Sequence, residues 1–276
     1  MISRRTFIKG ASGCAVGMVS VGSYSRFLEP RWVEISNVTI KINDLPKRFE
    51  GLKIVQLSDI HHCKYVSKDF IRKCVRKANA LFPDVIVLTG DYVFSDQGYL
   101  PPVAKELSEL RAKDGVFAVV GNHDDKDRTY DELHKNGIRL LINEHIVLYR
   151  AKEYIFIAGI DDIWKGDTDI KRALKGMDEN PKILLSHNPD AIEIIQHEDV
   201  DFVISGHTHG GQVSFPFYGP PIVYSKFGTR YTAGLFCEKN TIMYVNRGIG
   251  VSNLPVRFFA RPEITQFTIK NNLQCA

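Results

Sequence analysis

The sequence predicts an α/β protein: a sandwich of two mixed β-sheets flanked by helices, with a candidate active site at the carboxyl edge of its strands. Three observations lead there. From about residue 32 onward, short apolar runs alternate with segments of helical periodicity, the pattern of layered α/β folds. The last third is rich in strand-like runs, which calls for a second sheet. Five polar clusters each stand just beyond the end of an apolar run, the edge at which open α/β sheets bind ligands.

The elements follow in order. Residues 32–42 alternate as a strand, and 52–58 form a short apolar run ending in polar residues. Phe70, Ile71, Cys74, Val75 and Ala78 have helical spacing over 68–81, with Ser67 as N-cap. Residues 84–89 read as a buried strand, 101–113 as a helix, 115–120 as a strand and 127–136 as a helix. Several short strands fill 138–159. A strand at 182–185 precedes a helix at 189–197 that opens on Pro189, where the missing N–H costs nothing. A strand at 200–204 and two late antiparallel strands at 241–245 and 263–269 complete the reading. No internal repeat or low-complexity tract interrupts it.

At 276 residues and 44% hydrophobic, the chain can bury one sizeable core. Its formal charge of +4 is local: Arg4, Arg5, Lys9, Arg26 and Arg31 stand against Glu29 within residues 1–31, and 32–276 is neutral. The charge therefore gives no reason to expect a nucleic-acid partner. Cys14, Cys63, Cys74, Cys237 and Cys275 show no paired spacing, so they read as isolated thiols rather than a disulfide framework or zinc ribbon.

Ser3-Arg4-Arg5-Thr6-Phe7-Ile8-Lys9 followed by a weakly apolar run over 10–25 closely resembles a twin-arginine signal. Glycines dilute that run below the ~20 apolar residues of a spanning helix. Residues 1–30 are expected to be a twin-arginine signal or N-terminal membrane anchor, and 31–276 the functional domain. The implied partner is the twin-arginine translocase. The implied location is periplasmic or extracytoplasmic, or at the inner membrane through an uncleaved N-terminus.

The five clusters are Ser58-Asp59-Ile60-His61-His62, Gly90-Asp91, Gly121-Asn122-His123-Asp124, Ser186-His187-Asn188-Pro189 and Gly206-His207-Thr208-His209-Gly210-Gly211. A single Gly-Asp after a strand is usually a turn, and a lone histidine is usually a satisfied structural residue. Together the clusters bring carboxylate, imidazole and amide oxygen, the donors that suit borderline or hard divalent metals, to one edge. Buried without a cation, such groups would cost several kcal/mol of desolvation per charge.

Asp-x-His, Gly-Asp, Gly-Asn-His-Asp, a later His and Gly-His-x-His, in this order from Asp59 to His209, resemble the motifs of the calcineurin-like metallophosphoesterases. Gly-His-Thr-His-Gly-Gly-Gln and Ser-His-Asn-Pro-Asp further resemble the bacterial YaeI/YkuE-type branch, which is similar to pyrophosphatases acting on UDP-2,3-diacylglucosamine in lipid A synthesis. The resemblance implies that Asp59, His61 and His209 hold one metal, that Asn122, His187 and His207 hold a second, and that Asp91 bridges both. Such a mixed nitrogen and oxygen site suits Mn, Fe or Zn. It implies a metal-activated hydroxide attacking phosphorus in line, in a phosphodiester or pyrophosphate substrate that is expected to be lipid-linked. It also implies that His123 acts on the phosphate or leaving oxygen, stabilising charge or donating a proton. Asp124 would orient His123.

Residues 212–236, rich in Pro, Gly and aromatics, read as a loop over the core or a rim shaping substrate access. Arg230 and Arg247 are candidate phosphate contacts. His62 either supports a ligand from behind or lies on the surface, and His134, His145 and His197 are structural or exposed. No G-x-S-x-G elbow, P-loop, G-x-G-x-x-G or His-x-His-x-Asp-His run supports another hydrolase class. The competing reading is a membrane-attached, non-catalytic scaffold of the same fold, and every motif position here retains a competent ligand.

Overall fold

The computed structural model describes residues 4–272, so Ser3 of the twin-arginine-like motif and Cys275 lie outside them. Helix α1 (Arg4–Ser23) runs on through a turn of wider pitch at Tyr24–Leu28 and a tight turn at Glu29–Arg31 into strand β1 (Glu34–Ile42). Then come β2 (Leu52–Leu57), α2 (Lys68–Asn79), β3 (Val85–Thr89), α3 (Leu100–Leu107), β4 (Gly115–Val119) and α4 (Lys126–Lys135). Strands β5 (Arg139–Leu140), β6 (Glu144–Arg150) and β7 (Glu153–Gly159) lead to the single-turn helix α5 (Ile170–Ala173) and β8 (Lys182–Leu185). Helix α6 (Ile192–Ile195), β9 (Phe202–Ser205), β10 (Gly234–Glu238), β11 (Thr241–Val245) and β12 (Glu263–Asn271) follow.

Two six-stranded sheets form, ordered β1-β12-β2-β3-β4-β5 and β10-β11-β9-β8-β7-β6. Strand periodicity divides the apolar residues between layers. Val85 and Val87 of β3, with Ile183 and Leu185 of β8, enter the core between the sheets. Ile86 and Leu88 face a second core with Ile71 and Cys74 of α2 and Val103 and Leu107 of α3. Leu184 of β8 and Val203 of β9 face a third with Ile192 and Ile195 of α6. Burial on both faces explains why β3 and β8 read as unbroken apolar runs.

Several expected boundaries shift. Ser67 caps α2 as expected, accepting from the Phe70 amide at 3.3 Å. Helix α3 stops at Leu107 rather than reaching 113, because Asn79 takes over the backbone beyond it. Its amide donates to Glu109 O (2.8 Å) and its oxygen accepts from Arg111 N (2.9 Å). The expected helix at 189–197 is a 3₁₀ turn, Pro189–Ala191, followed by the single turn of α6. β11 and β12 are each antiparallel on one side only, to β10 and β2, and parallel on the other, to β9 and β1. β10 lies at the end of the segment read as a loop; it is a short edge strand whose Leu235 stays exposed, so burial on both faces leaves no mark on it.

What positions the site is that β2, β3 and β4 run parallel in one sheet and β7, β8 and β9 parallel in the other. Asp59, Asp91, Asn122, His187 and His207 each follow within four residues of a strand's last residue. The start of the chain is tied in below them. Arg257 N donates to Ser25 O (2.9 Å), and Ala260 N to the buried carboxylate of Glu29 (2.7 Å).

Candidate metal centre

The five loops converge so that Asp59, His61 and His209 form one buried group of potential ligand atoms and Asp91, His187 and His207 a second, each within 4.8 Å. In the first, His61 Nε2 lies 3.0 Å from His209 Nε2, and Asp59 Oδ1 lies 3.3 Å from His209 Nε2 and 3.9 Å from His61 Nε2. In the second, His187 Nε2 faces His207 Nδ1 at 3.0 Å and Asn122 Oδ1 at 3.1 Å. Asp91 stands between the groups, with Oδ2 3.4 Å from both His61 Nε2 and His187 Nε2.

The backbone is bent hard to achieve this. Asp59, His61, Asp91, His207 and His209 have φ of 50°, 48°, 56°, 72° and 55°, a region that non-glycine residues enter rarely and at roughly 1 kcal/mol or more each. Five such residues in one cluster are not a packing accident. Glycines let the loops meet. A Cβ on Gly206 would lie 1.9 Å from Ser58 Oγ, and one on Gly121 2.2 Å from Asp91 Oδ1.

Hydrogen bonds orient the donors. His187 Nδ1 lies 2.8 Å from Thr89 O, an acceptor only, so Nδ1 carries the proton. The Nε2 lone pair of the neutral ring then points at Asn122 Oδ1 and Asp91 Oδ2, which are also acceptors. Converging acceptors need a positive charge among them, and the buried donors fit a divalent cation. Without one, a proton takes the place: burial opposes it, but the Asp91 carboxylate holds His187 well above the ordinary imidazole range. Burial likewise pushes the Asp59 and Asp91 carboxyls up, yet His209 for Asp59 and His187 for Asp91 outweigh it and hold both below their usual range. Burial drives His61 and His207 down to about 3, leaving neutral, ligand-competent rings.

Asp59 is held by Ser58 Oγ (2.5 Å) and His207 N (2.9 Å). His123 donates its backbone N–H to Asp91 Oδ1 (2.8 Å), and its ring sits 5.2 Å from that of His61. Asp124 does not orient the His123 ring through any hydrogen bond described. It accepts the backbone N–H groups of Asp91 (2.8 Å), Tyr92 (2.9 Å) and Gly121 (2.8 Å), clamping two loops together. Burial and the Asp91 charge push its carboxyl up to about 8. His62 is structural, bonded through Nδ1 to Val66 O (2.7 Å).

The guanidinium of Arg230 pairs with Glu193 and Glu238, both at 2.9 Å, and that of Arg247 with Glu263 (3.1 Å) and Glu34 (3.0 Å). Carboxylates therefore already engage both candidate phosphate contacts. Three residues at the site carry no sequence motif. Trp164 packs edge-on against His207, ring centroids 4.4 Å apart, and the exposed Lys165 bears electrostatically on His123. The fully buried Arg257 places Nη2 3.2 Å from His209 Nδ1 while donating to Gly250 O, Ala260 O and Arg247 O. Only the packing of distant loops brings them here.

Comparison with known proteins places the chain in a family. Residues 52–211 match the family described as calcineurin-like phosphoesterase. The metallophosphoesterase YkuE of Bacillus subtilis is 38% identical over 282 residues, covering 98% of each chain. Phosphodiesterase YaeI of Escherichia coli is 32% identical over 276 residues, 98% of this chain and all of YaeI. The UDP-2,3-diacylglucosamine pyrophosphatase LpxG of Chlamydia muridarum is 29% identical over 304 residues, 87% of this chain and 90% of LpxG.

Proposed function

The chain belongs to the calcineurin-like phosphoesterase family, which makes it a phosphoric ester hydrolase, and on that premise we propose that it cleaves a phosphodiester or pyrophosphate bond with two divalent metal ions, Mn, Fe or Zn. Asp59, His61 and His209 would hold one ion, Asn122, His187 and His207 the other, and Asp91 would serve both. One observation carries the reading: a single oxygen, Asp91 Oδ2, stands 3.4 Å from a ring nitrogen of each group. Ions held there would supply Lewis-acid charge for the phosphoryl oxygens and would acidify a water for in-line attack.

The chain's own residues do the remaining work. Thr89 O fixes the His187 tautomer that aims Nε2 inward. The Asp91 carboxylate anchors the His123 backbone, setting that ring beside His61. Burial lowers His123 below the ordinary imidazole range, so a neutral ring offers an N–H to a phosphoryl or leaving oxygen. Lys165 adds positive charge at the same edge.

LpxG, a pyrophosphatase named for a diacylated sugar nucleotide, supports a lipid-linked substrate. Arg4 and Arg5 at the start of α1 support export through the twin-arginine translocase, with the N-terminus either removed or kept at the inner membrane. Among the described residues no helix is long and apolar enough to cross a membrane. The test is metal dependence. Purified protein stripped by a chelator should lose hydrolysis of 4-nitrophenyl phosphodiesters and regain it with Mn²⁺. Full activity in protein shown by elemental analysis to be metal-free would refute the proposal.

A further inference from the structure

Next to the first ligand group, the segment after His209 folds back on residues 252–254 and encloses a cavity of about 320 Å³. The buried Thr208 and His209 line it together with Val213, Phe215, Pro221, Ile222, Tyr224 and Leu254. Among the described residues, no Asp, Glu, Lys or Arg lines it. The polar groups along the wall are spent on one another. The Gln212 carboxamide accepts from Ser252 N (2.7 Å) and donates to Ser252 O (2.9 Å) and Leu254 O (2.7 Å). Asn253 donates to the Tyr224 hydroxyl (2.9 Å), and Thr208 Oγ1 to Thr232 O (2.5 Å). Backbone bonds from Ser214 N to Phe258 O (2.7 Å) and from Phe258 N to Gln212 O (3.0 Å) tie the wall to the body. The cavity is preformed and apolar, and a candidate metal ligand, His209, is part of its lining.

We propose that this cavity is the subsite for an aliphatic chain carried by the phosphoester substrate, so that the enzyme's substrates are amphiphiles whose chain begins near the scissile phosphorus. This rests on the phosphoesterase reading above. A nucleobase is a poor fit, because its edge needs several donors and acceptors, and the Gln212 carboxamide and the Thr208 hydroxyl are already engaged elsewhere. A charged headgroup is a worse one. An alkyl or acyl chain needs only apolar surface, and the mouth supplies more: Ile222 and Leu254 are 65% and 66% exposed, with Phe217 and Tyr218 exposed beyond them. Residues just after α1 line a cavity beside the chain neighbours of this wall. Arg26, Arg31 and Tyr65 border a second, smaller cavity shared with residues 249–251 and Pro255. The N-terminal segment and the apolar mouth thus flank a single loop.

The experiment is a homologous series of 4-nitrophenyl alkyl phosphodiesters, methyl to decyl, below their aggregation concentrations, with the Mn²⁺-loaded full chain. kcat/KM should climb by up to about fourfold per methylene and level off once the cavity is filled. Ile222→Lys and Leu254→Lys, both at the exposed rim, should each drive the octyl-to-methyl ratio of kcat/KM towards one. Metal-dependent hydrolysis with a flat chain-length profile overturns the subsite and leaves the phosphoesterase reading standing. An unchanged ratio in both variants overturns its location. Absence of metal-dependent hydrolysis even of the methyl ester sinks the reading beneath it.

Discussion

The Asp124 carboxylate accepts three backbone N–H groups, those of Asp91 and Gly121 on Oδ2 and that of Tyr92 on Oδ1, all at 2.8–2.9 Å. In Asp124→Asn the amide oxygen can replace only one of these two acceptors. With that oxygen on Asp91 and Gly121, the NH₂ faces the Tyr92 N–H, donor to donor. One buried N–H is then left unsatisfied, which costs about 1–3 kcal/mol. At roughly 2–4 °C per kcal/mol for a domain of this size, Tm should fall by roughly 2–12 °C. The loss belongs to backbone contacts, so it should appear equally in metal-free protein. Because the clamp sets the loops bearing Asp91 and Asn122, metal content after dialysis should fall as well. Scanning calorimetry of both forms, with elemental analysis of the loaded one, reads all three quantities. An unchanged Tm for the metal-free variant would refute the clamp. A loss of activity with stability and metal content intact would restore the idea that Asp124 serves the His123 ring.

His207→Ala should lower metal content and activity together, whereas His123→Ala should keep both metals and lose rate by roughly 10²–10³-fold. That loss should be similar for nitrophenyl and alkyl leaving groups, since burial holds the His123 ring neutral; a loss confined to alkyl esters would mean proton donation instead. Glu263 bonds Arg247 and Tyr244, and although burial raises its carboxyl, Arg247 brings it below the ordinary value of 4.5. A depressed pKa stabilises the fold above the unfolded value and loses that contribution as pH falls through the folded one. The stability gap between wild type and Glu263→Gln, measured by denaturant titration, should therefore be full at pH 7 and narrow below pH 4.5; a constant gap would deny the ion pair. Replacing Arg4 and Arg5 with Lys should retain folded protein in the cytoplasm, and an unchanged distribution between cell fractions would leave the pair without an export role.

The apolar periodicities announce most strands and helices because each records a local preference reinforced by burial, as in β3 and β8, whose alternate residues enter two different cores. The clusters at Asp59, Asp91, Asn122, His187 and His207 are legible for the same reason: each loop needs its residue types and glycines at fixed positions along the chain. Where α3 ends could not be read, since the side chain that ends it, Asn79, belongs to another helix. The same holds for Asp124, which resembles an orienting partner of His123 in sequence and is a three-way backbone clamp in space. Arg257 behind His209, Trp164 against His207 and the apolar cavity between 208–224 and 252–254 depend on contacts between segments far apart along the chain, 48 residues for Arg257 and His209 and 29 for Asn253 and Tyr224. The sequence by itself determined the layers, the order of the loops and the donor types. Only the tertiary structure decided which donors face one another, which polar groups are already satisfied and where apolar surface meets the site, because those depend on distances between loops that no local pattern encodes.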